Sequence, residues 1–274
     1  MTSIDTGTND LLAEVTDSGV GIITLNRPEA RNAMSDQMNG ALGSVLGNFE
    51  TNADVRCVVM TGAGGAFCAG GDVKGFAAGR GATGGPSGPD AGTHAQRLSQ
   101  RATTGALYLM PKPTIAAMPG PAAGAGLGLA LACDMRIAID STVITTAFAK
   151  VGFSGDYGVT WFLTQLLGPS KAKEMMYLSP RIDMPTALAM GLVNRLASPD
   201  AFDADWRSLA EELASGPTIA FRYMNENVNR AVSSSLFDSM DVEVTHHRYC
   251  GTTEDHRNAA KAFVNKESPV FHGR

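Results

Sequence analysis

Two glycine-rich segments hold the backbone positions at which this chain of 274 residues could bind and polarise a ligand. The segment "GPAAGAGLGLALACDMR" covers residues 120–136, and the segment "TGAGGAFCAGGDVKGF" covers residues 61–76. A glycine-rich turn that opens a helix presents unpaired N–H groups and the positive end of the helix dipole. A phosphate, a carboxylate or a polarised carbonyl oxygen could each bind there, and the residue types alone do not choose among them.

The spacing of the glycines argues against a nucleotide site. A dinucleotide-binding turn follows the first strand of a βαβ unit, has the pattern G-x-G-x-x-G and is followed about 20 residues later by an acid. Here the segment 120–136 lies in mid-chain, and Leu129 stands where the third glycine belongs. Asp140 could be the acid, but its position leaves room only for a short helix after the turn. No Gly-Lys-Ser or Gly-Lys-Thr occurs, which excludes a P-loop.

Each glycine-rich segment follows a run that predicts a buried strand. The run "VRCVVM" precedes the segment 61–76, and the run "PTIAAM" precedes the segment 120–136. Two such turns could each bring one backbone N–H to the same ligand atom. A pair of preorganised donors of this kind is an oxyanion hole, in which removing one donor costs about 3 kcal/mol of transition-state stabilisation. The pattern therefore favours chemistry at a carbonyl oxygen.

Composition argues against several other classes of function. The net charge of −5 disfavours nucleic acid as a partner, because a duplex requires a concentrated Lys/Arg surface. The N-terminal residues lack the pattern of a signal peptide. We expect no metal site, reduced thiols and a cytoplasmic location, because the four cysteines are far apart without a C-x-x-C pair. They are Cys57, Cys68, Cys133 and Cys250.

Prolines and glycines in the uncharged window 113–133 would break a membrane helix, so this window predicts a buried strand, turn and helix.

Short β-branched runs alternate with helical runs up to about residue 198, which predicts an α/β fold with much parallel pairing. Residues 11–28 predict a hairpin and residues 35–52 a helix. From Ala201 onward the chain predicts consecutive helices, so we divide it into domains 1–199 and 200–274. Residues 76–92 are rich in Gly, Pro and Ser and predict a surface loop, either a disordered insertion or an active-site lid.

Three ordered motifs resemble the crotonase superfamily of enoyl-CoA hydratases and isomerases. They are "LNRPEARNAM" (25–34), "GAFCAGGDVKGF" (65–76) and "GPAAGAGLGLALACD" (120–134), and the similarity runs from about residue 10 to at least residue 200. The resemblance implies a spiral of repeated strand-strand-helix units with a helical C-terminal region that forms trimers. It also implies an acyl-CoA thioester as ligand, with coenzyme A as part of the substrate and no separate cofactor, and a homotrimer or a dimer of trimers.

The resemblance also implies roles for particular residues. The oxyanion donors would be the main-chain N–H groups of Gly71 and Ala125, and a methyl group at the second position leaves a main-chain donor in place. Arg27 could add positive charge for the phosphates of coenzyme A. The other implied contacts with coenzyme A are Ala30, Arg31, Ala69, Val73, Lys74, Phe263 and Lys266.

Other positions bear on the reaction. Hydratases of this superfamily use two glutamates, and at the matching positions this chain has Gly128 and Phe148, neither of which can transfer a proton. Residues 147–168 instead resemble the isomerase branch, which includes ring-epoxide phenylacetyl-CoA isomerases and has an aspartate where Asp156 stands. A single carboxylate can remove an α or γ proton, and can return it at another carbon while the oxyanion hole holds the dienolate.

We expect burial against Phe148, Phe153 and Trp161 to raise the pKa of Asp156. An aspartate in a "SGDYG" turn can also serve only to bond its own backbone. A hydratase with non-standard acids and a non-catalytic acyl-CoA-binding protein therefore stay as alternatives. Dehalogenation is disfavoured, because Arg101 stands where dehalogenases of this superfamily have histidine, and His94 lies seven residues too early.

Overall fold

The structure, a computed structural model, describes residues 1–72, residue 75 and residues 88–274. Its strands are β1 Thr2–Ile4, β2 Leu11–Val15, β3 Val20–Leu25, β4 Cys57–Gly62, β5 Thr114–Met118, β6 Ala122–Ala123, β7 Met135–Ile139, β8 Val143–Thr145, β9 Ile182–Asp183 and β10 Arg195–Ala197. Its helices are α1 Asp36–Thr51, α2 Gly88–Gln100, α3 Ala125–Ala132, α4 Val159–Leu178, α5 Met184–Ala189, α6 Phe202–Ala214, α7 Thr218–Ala231, α8 Leu236–Cys250 and α9 Glu254–Asn265.

The main sheet has, within the described residues, seven strands in the order β1-β2-β3-β4-β5-β7-β10. In this sheet β1, β2 and β3 pair antiparallel. The strands β3, β4, β5, β7 and β10 pair parallel, each with the next. A smaller sheet contains β6, β8 and β9. Because β4 and β5 are parallel neighbours, the two glycine-rich segments that follow them leave the same edge of the sheet.

The main sheet has a buried face on each side, because successive side chains of a strand point in opposite directions. On one face, Ile23 belongs to the apolar cluster that contains Leu42 of α1. On the other face, Ile22 belongs to the cluster that contains Trp206 of α6. Full burial of an apolar side chain of this size contributes about 1.5–3 kcal/mol, so these contacts hold both helices on the sheet.

Several predictions from the sequence are confirmed. β2 and β3 form the predicted hairpin, and α1 begins after Ser35, whose side chain accepts a hydrogen bond from the amide of Met38. The uncharged window 113–133 forms β5, β6 and α3. Among the described helices, none combines the length and the apolar composition needed to cross a membrane.

The loop predicted at residues 76–92 is wrong for its last part, because α2 begins at Gly88. Residues 76–87 lie outside the described residues, so that part stays a prediction. His94 lies within α2 and not in a loop. α2 runs on through a π-helical turn, Arg101–Gly105, and a short turn, Ala106–Tyr108, which together form one continuous helical arm beside α3.

The predicted helices after residue 201 are confirmed as α6 to α9. The side chain of Asn225 on α7 donates hydrogen bonds to the carbonyl oxygen of Met110 (3.2 Å) and to Oδ1 of Asp134 (3.1 Å). Arg56 reaches the last residues by donating to the carbonyl oxygen of Phe271 (3.0 Å). α6 follows residue 199 and packs on the main sheet, which belongs to the first predicted domain. The division into two domains at residue 199 therefore stays a prediction from the sequence.

Candidate active site

The two glycine-rich turns lie side by side. Cys68 forms a parallel bridge with Ala122, and the amide of Ala123 donates to the carbonyl oxygen of Cys68 at 2.9 Å. The amides of Phe67 and Cys68 both donate to the carbonyl oxygen of Pro121, at 3.1 and 3.2 Å. These backbone bonds hold the two turns in a fixed register at the edge of the sheet.

Gly70 packs closely against the turn that contains Ala123 and Ala125. Its φ of 88° lies in the left-handed region, which favours glycine. A Cβ at this position would lie 2.7 Å from the carbonyl oxygen of Ala123 and 3.2 Å from the amide nitrogen of Ala125. A larger residue would therefore push the two turns apart, and the main chain at Gly70 lies directly against the amide of Ala125.

The direction of the Gly71 amide follows from its peptide plane. The carbonyl oxygen of Gly70 accepts a hydrogen bond from the amide of Met34 at 2.8 Å. A trans peptide holds its C=O and N–H on opposite sides, and no described peptide bond is cis. The N–H of Gly71 therefore points away from Met34.

The Ala125 amide is oriented in the same way at the start of α3. The carbonyl oxygen of Gly124 accepts from the amide of Gly128 at 3.2 Å, so it points along the helix and the N–H of Ala125 points out of its N-terminus. Within the described residues, neither the Gly71 nor the Ala125 amide has a recorded acceptor. The helix dipole adds partial positive charge at Ala125.

Two other glycines of the second segment are explained by close packing. A Cβ at Gly126 would lie 2.4 Å from the carbonyl oxygen of Cys68, and one at Gly128 would lie 2.6 Å from the carbonyl oxygen of Tyr157. These glycines let α3 approach its neighbours. The packing of these two glycines leaves the amide of Ala125, at the helix start, as the group of this segment expected to face a ligand.

Tyr157 occupies the space beside Gly128, the position at which the family resemblance implies an acid in hydratases. It is 6% exposed, and its φ of 48° lies in the left-handed region. Its amide donates to Oε1 of Gln100 at 2.8 Å, which holds this conformation in place. Burial raises the pKa of the Tyr157 hydroxyl, which therefore stays protonated near neutral pH.

Asp156 precedes Tyr157 and is half-buried beside α2. Its Oδ2 accepts a hydrogen bond from Nε2 of Gln96 at 3.1 Å. Its Oδ1 is buried without a hydrogen-bond partner among the described residues. Burial raises the pKa of Asp156 to about 6, while the hydrogen bond from Gln96 acts in the opposite direction. A carboxyl group with this pKa can accept and return a proton near neutral pH.

The aromatic surroundings of Asp156 differ in part from the expectation. Phe148 is buried, and its ring lies near the positions where Gly124 and Gly155 would carry a Cβ, at 3.7 and 3.9 Å. Phe153 is 49% exposed and Trp161 is 41% exposed. Burial of the carboxyl is confirmed, but of the three rings only Phe148 is itself buried.

The residues expected to contact coenzyme A are only partly brought together. Ala30 ends a short 3-10 helix, and the amide of Ala69 donates to the carbonyl oxygen of Arg31 at 2.9 Å, so these three lie next to one another. The side chain of Arg31 and that of Ala69 are exposed. Val73 and Lys74 lie outside the described residues. No hydrogen bond or ion pair within the described residues joins Lys266, at the end of α9, to this group.

Arg27 has a structural role that the sequence did not indicate. It lies within 4 Å of carboxylates of Asp10, Glu29 and Asp72, and its Nη1 donates to the carbonyl oxygen of Ala33 at 2.7 Å. These neighbours neutralise the guanidinium. Arg27 therefore holds the turn around Arg31 in place and is poorly suited to phosphate.

Sequence reasoning missed two further residues, Gln96 and Gln100. They lie one helical turn apart on α2 and bond the side chain of Asp156 and the backbone of Tyr157, respectively. Two glutamines four residues apart lie on one face of a helix, and this spacing could have marked them as partners of a neighbouring segment. The helix itself was not predicted over its first residues, because the residues before the glutamines are rich in glycine. They lock the Asp156 turn to α2.

The chain is similar to several known proteins. Residues 15–274 match the family model described as Enoyl-CoA hydratase/isomerase. The chain is 33% identical to 1,2-epoxyphenylacetyl-CoA isomerase of Escherichia coli K12, over 94% of this chain and 97% of that protein. It is 29% identical to the short-chain-enoyl-CoA hydratase of Clostridium acetobutylicum, over 90% of this chain and 92% of that protein. The crystal structure of an enoyl-CoA hydratase from Bacillus anthracis is similar with a TM-score of 0.88 and 29% identity, covering 97% and 100% of the two chains.

Proposed function

Since the chain belongs to the enoyl-CoA hydratase/isomerase family, we propose that this enzyme isomerises an enoyl-CoA or a related thioester and that Asp156 carries the proton. The observation that carries the proposal is the state of the Asp156 carboxyl. Its Oδ1 is buried without a partner among the described residues, and burial raises its pKa to about 6. The relative named as an epoxyphenylacetyl-CoA isomerase supports the same class of reaction.

The proposed reaction needs one acid–base group and two amides. Ionised Asp156 removes a proton from the α or γ carbon, and the electron pair of that C–H bond moves toward the thioester carbonyl, whose oxygen becomes negative. The N–H groups of Gly71 and Ala125 stabilise this oxygen. Asp156 then returns the proton to a different carbon, so the double bond moves and the composition of the acyl group is unchanged.

Hydration by two acids is a weaker proposal for this chain. Gly128 and Phe148 stand at the two acid positions, and the space beside Gly128 is filled by Tyr157, whose carbonyl oxygen and Cβ lie within 3 Å of a Cβ built there. A relative named as a short-chain-enoyl-CoA hydratase keeps hydration as the alternative that product analysis must test.

The substitution Asp156→Asn tests whether the protein is an enzyme of this kind or only an acyl-CoA binder. It removes the proton acceptor while keeping the size of the side chain, so we expect turnover of enoyl, dienoyl or phenylacetyl-type CoA thioesters to fall about 100- to 10,000-fold. Binding of the saturated acyl-CoA, measured by calorimetry, should stay within about twofold. Asp200→Asn, an exposed aspartate before α6, is the matched control. Unchanged turnover in Asp156→Asn would contradict the proposal.

The coenzyme A portion of the substrate is proposed to bind along the exposed turn of Ala30, Arg31 and Ala69, with Val73, Lys74 and Lys266 as further contacts. The adjacency of the first three residues supports this placement. The cytoplasmic location expected from the cysteine pattern of the sequence stays a proposal.

We also propose that the chain forms a homotrimer or a dimer of trimers. Exposed apolar side chains follow each other four residues apart on the C-terminal helices, and a stripe of this kind marks an interaction surface. On α7 and at its C-cap they are Met224, Val228 and Val232, and on α8 they are Leu236, Met240 and Val244.

A further inference from the structure

A cavity of about 420 Å³ lies between the helical arm that begins with α2 and the start of α4. Its walls are formed partly by three aromatic rings, those of Tyr108, Trp161 and Phe162. The ring centroids are 5.1 to 5.9 Å apart, and each pair of rings meets edge to face. A volume of this size is in the range of small-molecule sites in proteins.

The cavity shares a wall with the Asp156 turn. Gln100 lines the cavity and also accepts the hydrogen bond from the amide of Tyr157, the residue after Asp156. Gly158, two residues after Asp156, lines the cavity as well. Gln100 and Gly158 therefore place the cavity directly beside the turn that carries the proposed base.

The charge on the cavity wall has one sign. Arg97 and Arg101 lie one helical turn apart and line the same side, whereas no Asp or Glu lines the cavity among the described residues. Within the described chain, neither arginine has a recorded ion pair or side-chain hydrogen bond. Both side chains are exposed at the rim, so they add positive charge to an otherwise largely apolar cavity.

From this arrangement we propose that the cavity binds the distal part of the acyl group and selects acyl groups whose apolar body ends in a carboxylate, bound by Arg97 and Arg101. The three rings would contact the apolar body, and the planar guanidinium groups would bind the carboxylate through charge-assisted hydrogen bonds. This inference rests on the proposed function only for the location of the thioester, and it names a substrate class that the reaction alone does not require.

The test compares two enoyl-CoA thioesters of equal chain length, one with a methyl end and one with a terminal carboxylate. We expect wild-type kcat/KM to be about 10- to 100-fold higher for the carboxylated substrate at low salt. The double variant Arg97→Met, Arg101→Met should bring this ratio close to one. Arg195→Met, an exposed arginine of β10 that does not line the cavity, should leave the ratio at the wild-type value.

Binding of the two saturated analogues, measured by calorimetry, keeps this test separate from the proposed reaction. A preference for the carboxylated analogue that disappears in the double variant supports the inference even if no thioester is converted, in which case the proposed function fails alone. Equal use and equal binding of the two compounds by the wild-type protein would overturn the inference. A double variant that loses both compounds equally, or changes its mass in solution, would also overturn it, because the arginines would then serve folding or assembly.

Discussion

Gln96 is the residue through which α2 controls the candidate base. Its Nε2 donates to Oδ2 of Asp156 at 3.1 Å, which leaves Oδ1 as the oxygen without a partner among the described residues. This hydrogen bond favours the ionised carboxylate, against the effect of burial. We therefore regard Gln96 as a positioning residue that orients the carboxylate and partly offsets the larger effect of burial on its pKa.

Replacing Gln96 by methionine should shift the pH dependence of the reaction. In the proposed reaction the ionised form of Asp156 removes the proton, so activity of the wild-type enzyme should fall as the pH drops through about 6. Loss of the hydrogen bond raises this pKa further, and the acid limb of kcat/KM against pH should move to higher pH. Leu98→Met, on the exposed side of α2, should leave the profile in place. An unchanged profile in Gln96→Met would show that the hydrogen bond does not tune the base.

At the level of elements, the position of α3 depends on two glycines that allow close packing. Gly126 and Gly128 let the helix approach Cys68 and Tyr157 more closely than any side chain would permit. The approach brings the start of α3 to the turn after β4, and it brings the Asp156 turn to the side of α3. The two amides and the carboxylate therefore depend on the same packing.

Substitution of Gly128 by alanine should destabilise the fold by about 1–3 kcal/mol, because the added methyl meets backbone and cannot be relieved by a rotamer change. Gly47→Ala is the matched control, since Gly47 lies in α1 with open space around it. Alanine there should stabilise the protein by about 0.5–1 kcal/mol through helix propensity. The free energies of unfolding from urea titrations compare the two. A Gly128→Ala protein as stable as the wild type would mean that α3 has room to move.

Elements with a local signal in the sequence could be predicted, whereas contacts between residues far apart in the sequence could not. α1 was predictable because Ser35 caps it and its apolar residues recur at helical spacing. The start of α2 at Gly88 was not, because Gly and Pro dominate the preceding residues and the helix is held by later contacts such as Gln96 with Asp156, 60 residues away. The two amide positions followed from family resemblance, whereas the packing roles of Gly126 and Gly128 required the structure.

At the level of the whole molecule, the C-terminal helices expose more apolar surface than an isolated chain would be expected to keep. The stripes on α7 and α8 suggest an interface between copies of the chain. The hydrogen bonds of Asn225 to Met110 and Asp134 join α7 to the rest of the chain, so the stripes are presented on a fixed support.

Light scattering on the purified protein should give a mass of three chains or six. A Val228→Asp, Val244→Asp variant should lower that mass, because a charge buried at an apolar interface is costly. Val270→Asp, at an exposed position of the C-terminal tail, is the control and should keep the wild-type mass. A wild-type protein with the mass of one chain would rule out the proposed assembly.

The chemical identity of the product tests the central claim most directly. Mass spectrometry and NMR of the product formed from an enoyl-CoA in D₂O separate isomerisation from hydration. We expect a product that has its double bond at a new position and no added water, and we expect Asp156→Asn not to form it. A product that is one water heavier than the substrate, formed at an equal rate by wild type and Asp156→Asn, would contradict it.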